Sequence, residues 1–136
     1  MQHDFQWKDE YSVHVKEIDD QHKRLIETIF KLFTAINQQS AGDILENILN
    51  DLTEYVEHHF STEEKYFKAF NYEFADEHIK EHRMFAEKIA EFKKRYINHE
   101  IEISFELIDF LEDWLLEHLI TADQKYVNCF VLHGLK

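Results

Sequence analysis

Ten histidines in 136 residues are unusual for a chain with little else to mark it, because imidazole is a weak helix former and the commonest metal ligand among side chains. Five of them, with one carboxylate, stand where the neighbouring pattern calls for burial: His22, His59, His78, His82 and His118, with Glu63; a second carboxylate, Asp123, follows five residues after His118. His59 with Glu63, and His78 with His82, are i and i+4 pairs, which on a helix share one face about one turn apart. Two such pairs on adjacent helices form a cage. A single histidine on an apolar face is most often a satisfied core residue, but this set is too large for that reading. An unsatisfied buried polar group costs roughly 1 to 3 kcal/mol, and an unpaired carboxylate more. Something must therefore satisfy the set together.

Imidazole with carboxylate suits iron, copper or zinc, and two carboxylates free to bridge favour a pair of metals over one. Seven ligands are too many for a single ion. If Glu63 and Asp123 bridge, five imidazoles remain for two octahedral ions, three on one and two on the other, with one position open to a small molecule. The awkward member is Asp123. Five residues from His118, it is rotated about 140° from it on a regular helix, and reaches inward only through a local π-bulge. Ferritin-like di-iron enzymes use Glu-x-x-His pairs, and none occurs in this chain. A histidine-rich, carboxylate-poor set points to reversible binding over substrate oxidation.

These residues need long helices to hold them, and the composition supplies them. There are no prolines and only two glycines, so little interrupts a helix. Four stripes recur at three- and four-residue steps. The first holds His22, Leu25, Ile26, Ile29, Phe33 and Ile36, the second Leu45, Ile48, Leu49, Leu52, Val56, His59, Glu63 and Phe67. The third holds His78, His82, Phe85, Ile89, Phe92 and Tyr96, the fourth Leu107, Ile108, Leu111, Trp114, Leu115, His118, Ala122 and Tyr126. The expected fold is all-α: an up-down-up-down antiparallel four-helix bundle with helices near 19–38, 43–68, 75–97 and 104–128. Asp43 is the expected cap of the second helix, which stops near Asn71. Residues 1–17 lack a helical period and contain Phe5, Trp7, Tyr11, Val13 and Val15, which suggests an extended arm over the bundle. Residues 1–136 read as a single domain.

The net charge of -13, from 28 acidic and 15 basic residues, repels phosphate backbones and anionic lipid, so nucleic acid is not an expected partner. No stretch approaches the roughly 18 apolar residues of a membrane span, and no membrane insertion is expected. Cys129 is the only cysteine, which excludes an intramolecular disulfide and fits a reducing compartment, read as the cytoplasm.

Ile18-Asp19-Asp20-Gln21-His22-Lys23, His59-Phe60-Ser61-Thr62-Glu63-Glu64, His78-x-x-x-His82 and Trp114-Leu115-Leu116-Glu117-His118 with Asp123 and Tyr126 together resemble the hemerythrin family. Within it the match is to the single-domain bacterial type, the bacteriohemerythrins, over nearly the whole chain. The resemblance implies two iron ions with an oxo or hydroxo bridge, one held by His78, His82 and His118 and the other by His22 and His59, with Glu63 and Asp123 bridging. It implies reversible O2 binding at the open position of the two-histidine iron, in a dry pocket of Phe60, Trp114 and Leu115. Thr121 falls where family members often place an apolar pocket residue, and Tyr126 resembles a residue packed beside the site. Such a protein is not an enzyme; it stores or delivers O2, with an O2-consuming recipient as an unidentified partner. The alternatives are an oxygen or redox sensor acting through a separate partner, and a di-iron enzyme consuming peroxide or nitric oxide. The remaining histidines, His3, His14, His58, His99 and His133, fall in the arm, on exposed faces or at ends.

Overall fold

The computed structural model describes residues 7–39, 41–98 and 103–136, and every regular element among them is helical. Six α-helices follow in order: α1 (Lys16–Asn37), α2 (Ala41–Tyr55), α3 (Ser61–Phe70), α4 (Ala75–Ile97), α5 (Ile103–Trp114) and α6 (Val127–Leu132). A π-helical segment, Val56–Phe60, joins α2 to α3. A second, Leu115–Ala122, followed by a 3-10 turn at Asp123–Tyr126, joins α5 to α6. Tyr55, Ser61, Trp114, Asp123 and Val127 all keep right-handed helical dihedrals, so each join continues the helix instead of breaking it. The described residues thus form four helical rods, at 16–37, 41–70, 75–97 and 103–132.

Rod ends have identifiable causes, and the second falls where the sequence places it, near Asn71. The first rod opens at Lys16 and not near Asp19, because the Asp19 carboxylate turns back to what precedes the helix. One oxygen accepts the Val13 N–H at 2.9 Å and the other the Ser12 hydroxyl at 2.6 Å. The second rod stops at Asn71, whose φ of 52° is the left-handed conformation a short polar side chain tolerates. The fourth runs on to Leu132, ended by Gly134 at φ 79°. Residues 7–15 are not wholly extended: Asp9–Tyr11 form a 3-10 turn. Tyr11, Val13 and Val15 are buried, and the Gln124 side-chain amide donates to the Tyr11 and Ser12 carbonyls at 3.3 and 3.2 Å. Phe5 and the Asp43 side chain lie outside the described residues.

Two apolar clusters make the core. The larger joins Leu25, Ile29 and Leu32 of α1 to Leu45, Ile48, Leu49 and Leu52 of α2, to Phe85, Ile89 and Phe92 of α4, and to Leu107, Ile108 and Leu111 of α5. The smaller gathers Val13, Val15, Ile18, Phe67, Tyr72, Tyr126 and Phe130. Each such side chain contributes roughly 1.5 to 3 kcal/mol on burial. His22 lies in sequence between Ile18 of the smaller cluster and Leu25 of the larger, Glu63 between Phe60 and Phe67, and His118 and Asp123 between Leu111 and Tyr126. No helix is long and apolar enough to cross a membrane among the described residues.

Candidate metal centre

His22, His59, Glu63, His78, His82, His118 and Asp123 are all buried, none more than 4 % exposed. α1 supplies His22, the second rod His59 and Glu63, α4 His78 and His82, and the fourth rod His118 and Asp123. The step from His118 to Asp123 is solved by the π-helix: the Asp123 N–H bonds to the His118 carbonyl five residues back, which brings the two side chains to one face. The His118 Nε2 then lies 2.9 Å from Asp123 Oδ1. The other π segment allows two consecutive residues, His59 and Phe60, to be buried while Glu57 and His58 stay exposed.

The seven side chains converge as two overlapping groups. Glu63, His78, His82 and His118 each place one donor atom within 4.8 Å of the others, as do His22, His59, Glu63 and Asp123. Asp123 faces both ways, with Oδ1 2.8 Å from His78 Nε2 and Oδ2 3.0 Å from His22 Nε2. Glu63 Oε1 lies 3.0 Å from both His59 Nε2 and His82 Nε2.

Outer partners show why these contacts call for a cation. His82 donates its Nδ1–H to Glu64 at 2.8 Å, and His59 donates its own to the Gln21 side-chain oxygen at 2.6 Å. In the neutral rings that leaves Nε2 as a lone pair, and both lone pairs face Glu63 Oε1. The Nε2 atoms of His22 and His59 also stand 3.0 Å apart. Acceptors held against acceptors require positive charge between them. The orphaned atoms agree: both Asp123 oxygens, Glu63 Oε2, and the Nε2 atoms of His78 and His118 are buried without a well-directed hydrogen bond. The donor set therefore fits metal, and the first group has three imidazoles where the second has two.

Without metal the centre balances its own charge. Burial and the Glu63 charge act to raise Asp123, but the His118 charge and contacts from His118 and His22 hold it well below the usual carboxylate range. Burial likewise opposes ionisation of Glu63, which His59, His78 and His82 nonetheless hold low. Burial disfavours protonation of His78 and His118 too, yet contact with Asp123 and Glu63 raises them to about 9 and about 10. His59 goes the other way, lowered by burial. Two imidazolium ions thus offset two carboxylates.

The sign of the pH dependence follows. Raised histidines stabilise fully below their unfolded value near 6.5, and that stability is lost as pH rises through about 9 and 10. Lowered carboxylates stabilise above about pH 4, and their share is lost as pH falls. His59, held neutral by burial, adds stability that is lost as pH falls below about 6.5, so the metal-free protein is expected to be most stable near about pH 6.5. Metal uptake at pH 7 is expected to release protons from His78 and His118. Thermal unfolding of the metal-free chain across pH 4 to 10 checks the first, and titration calorimetry in buffers of different ionisation enthalpy the second. A melting temperature unchanged between pH 6.5 and 10 would contradict the charge assignment.

Aromatic rings close one side of the centre. Phe60 stacks on His82 at 3.8 Å, Trp114 on His118 at 4.0 Å, and Tyr55 on His59 at 4.8 Å. Tyr126, fully buried, packs against His78 and Phe67 on the other side. The Leu115 side chain lies outside the described residues. Thr121 is exposed, which corrects its expected place in the pocket: the wide turn that brings Asp123 beneath His118 rolls Thr121 to the surface. His14, His58 and His133 are exposed, and His3 and His99 lie outside the described residues. Four residues close to the centre were not singled out from sequence: Gln21, Glu64, Tyr55, and Glu81, whose carboxylate lies 3.4 Å from His118 Nδ1. Gln21 and Glu64 adjoin His22 and Glu63 within the quoted motifs, and Tyr55 precedes His59 by one helical turn. Their adjacency to the buried set was the available signal.

An all-helical fold with two overlapping buried groups of histidine and carboxylate defines a class of metal-binding helical protein with room for two cations. The family model of the hemerythrin HHE cation binding domain matches residues 13–129, and the chain belongs to the hemerythrin family. Among its relatives, a bacteriohemerythrin of Clostridium acetobutylicum is 30% identical over 128 residues, covering 91% of this chain and 99% of that protein. A bacteriohemerythrin of Pseudomonas aeruginosa is 31% identical over 129 residues, covering 95% of this chain and 82% of that one. A myohemerythrin of Theromyzon tessulatum is 30% identical over 122 residues, covering 90% of each.

Proposed function

We propose that this protein binds O2 reversibly at a pair of iron ions with an oxo or hydroxo bridge, for oxygen storage or delivery. The reading takes residues 1–136 as one domain, an up-down-up-down antiparallel four-helix bundle with residues 1–17 as an arm, working in the cytoplasm. His78, His82 and His118 hold one iron, His22 and His59 the other, and Glu63 and Asp123 bridge. The observation that carries it is the two-faced Asp123 carboxylate, Oδ1 toward His78 and His118 and Oδ2 toward His22, with Glu63 common to both groups. Five imidazoles against two carboxylates then leave the His22/His59 half one ligand short.

Such an iron pair supplies two electrons to O2 and recovers them on release. The chain's own share is to hold ligands and exclude water. Glu64 and Gln21 fix which nitrogen of His82 and His59 faces inward. Phe60 and Trp114, with Leu115, form the proposed O2 pocket; the rings of Phe60 and Trp114, stacked on His82 and His118, would keep water from the centre.

Reversibility is tested by the absorption spectrum of the anaerobic di-ferrous protein, then with O2, then under argon, with iron measured on the same sample. Two irons per chain and a charge-transfer band that comes with O2 and leaves with it are expected. Prompt conversion to a ferric spectrum with catalytic consumption of reductant would instead favour the sensor or enzyme reading. His22→Ala is expected to lose O2 binding, because it strips a ligand from the two-histidine half. Unchanged O2 affinity in that variant would overturn the division of ligands.

A further inference from the structure

The surroundings of Nδ1 in four of the five imidazoles, His22, His59, His82 and His118, divide along the same line as the two metal groups. On the three-histidine side, His82 Nδ1 bonds the Glu64 carboxylate at 2.8 Å, and His118 Nδ1, which makes no well-directed hydrogen bond, faces the negative charge of Glu81 at 3.4 Å. On the two-histidine side, neither Nδ1 meets an anion among the described residues. His59 Nδ1 meets the neutral amide of Gln21 at 2.6 Å, and His22 Nδ1 is buried with no partner.

The Gln21 amide can point only one way. The Thr62 hydroxyl spends its hydrogen on the His58 carbonyl, an acceptor only, at 2.8 Å. The Thr62 oxygen must therefore accept from Gln21, whose NH2 lies 3.1 Å away. That turns the Gln21 oxygen to His59, so His59 Nδ1 carries the proton and Nε2 presents its lone pair to the centre. The tautomer is fixed by a three-link chain from a backbone carbonyl of the second rod, through Thr62, to α1.

We infer that Gln21 is a positioning residue: it locks His59 in its metal-ligating tautomer without adding negative charge, and so keeps the His22/His59 half the less electron-donating of the two. A carboxylate beside Nδ1 draws the ring proton and makes Nε2 a stronger donor, whereas an amide holds the ring and leaves its basicity alone. In this arrangement the half with the open position binds its metal less tightly than the half backed by Glu64 and Glu81. The inference rests on the two-metal reading given above.

Zinc is the probe, because it binds the same donors without redox chemistry. Gln21 is partly exposed on the wall of a cavity of about 190 Å³ shared with Arg24, Thr28, Tyr55 and His58, so substitutions there need not displace packed neighbours. The metal-free protein is titrated with zinc, and the loaded form is examined by 15N NMR of the histidine rings. The unsubstituted chain should take up two zinc ions and show a slowly exchanging His59 Nδ1–H. Gln21→Met is expected to lose that signal and weaken one zinc equivalent by about tenfold, leaving the other unchanged. Gln21→Glu is expected to restore that equivalent to the original affinity or tighter, and to speed oxidation of the iron-loaded, di-ferrous protein. Equal weakening of both equivalents, no weakening of either, or a Gln21→Glu that behaves as Gln21→Met would overturn the inference. Fewer than two zinc ions on the unsubstituted chain would overturn the two-metal reading, and this inference with it.

Discussion

Asp123→Ala is expected to leave the protein unable to hold two metals and to lower the stability of its metal-free form by about 3 to 5 kcal/mol, the usual cost of breaking a buried ion pair. Both consequences come from one carboxylate. Its oxygens contact His78 at 2.8 Å, His118 at 2.9 Å and His22 at 3.0 Å, across both ligand groups. Without metal, Asp123 heads the attractions that raise His78 and His118 above the ordinary imidazole range. Removing it leaves two buried cations with Glu63 as the remaining central anion, and the rings can escape that cost only by losing protons. The penalty should therefore be largest near pH 6 and shrink above pH 9. Metal analysis after exhaustive dialysis and urea unfolding at pH 6 and pH 9.5 measure the two effects. Two tightly held metals together with unchanged stability would rule out a bridging Asp123. Asp123→Asn, which keeps the shape and loses the charge, should lose metal in the same way.

Phe60→Ala should be comparably destabilising, about 3 to 5 kcal/mol, but through a cavity and with the ligand set intact. Phe60 is 4 % exposed, stacks on His82 at 3.8 Å and 6° between planes, and meets Tyr55, Phe85 and Trp114 with ring centres 5.5 to 6.0 Å away. Truncation empties the middle of that aromatic wall and opens the dry side of the centre. On the proposed O2-binding reading, metal content should stay at two per chain while the oxygenated form decays to ferric several-fold faster, because water would reach the open position. Phe60→Leu, which keeps much of the apolar volume, should recover most of the stability and part of the lifetime. A Phe60→Ala protein as stable and as long-lived when oxygenated as the original would remove both the packing and the water-exclusion roles.

These two variants separate what the centre and its walls each do, and they also show how unevenly the chain reveals them. Six of the seven buried donors, all but Asp123, stand out in sequence because a polar residue in an apolar stripe is costly, and the cost is visible wherever the stripe is. Helical content stands out for a similar reason, in a chain without proline and with two glycines. The inward turn of Asp123 required a π-bulge as a condition, and the π-helix at Leu115–Ala122 meets it. The second π segment, Val56–Phe60, had no such prompt, since His59 and Glu63 already stand four residues apart. Thr121 was misplaced because its expected position followed family resemblance, whereas its exposure follows from the local winding of the rod.

Periodicity along one chain ties a residue to its neighbours on the same rod, and on that ground alone this sequence specified helices, buried stripes and a polar set needing joint satisfaction. It could not specify partners drawn from other rods, because those depend on how each rod is rotated and offset against the next. The Gln21–His59 bond spans 38 residues and the Glu64–His82 bond 18, and the two oxygens of Asp123 reach histidines of α1 and α4. Packing of the rods therefore chose the outer partners of the rings, the division of ligands into two groups and the side of the centre that aromatic rings cover. Those choices arise from distances between side chains far apart in sequence, where no local rule acts.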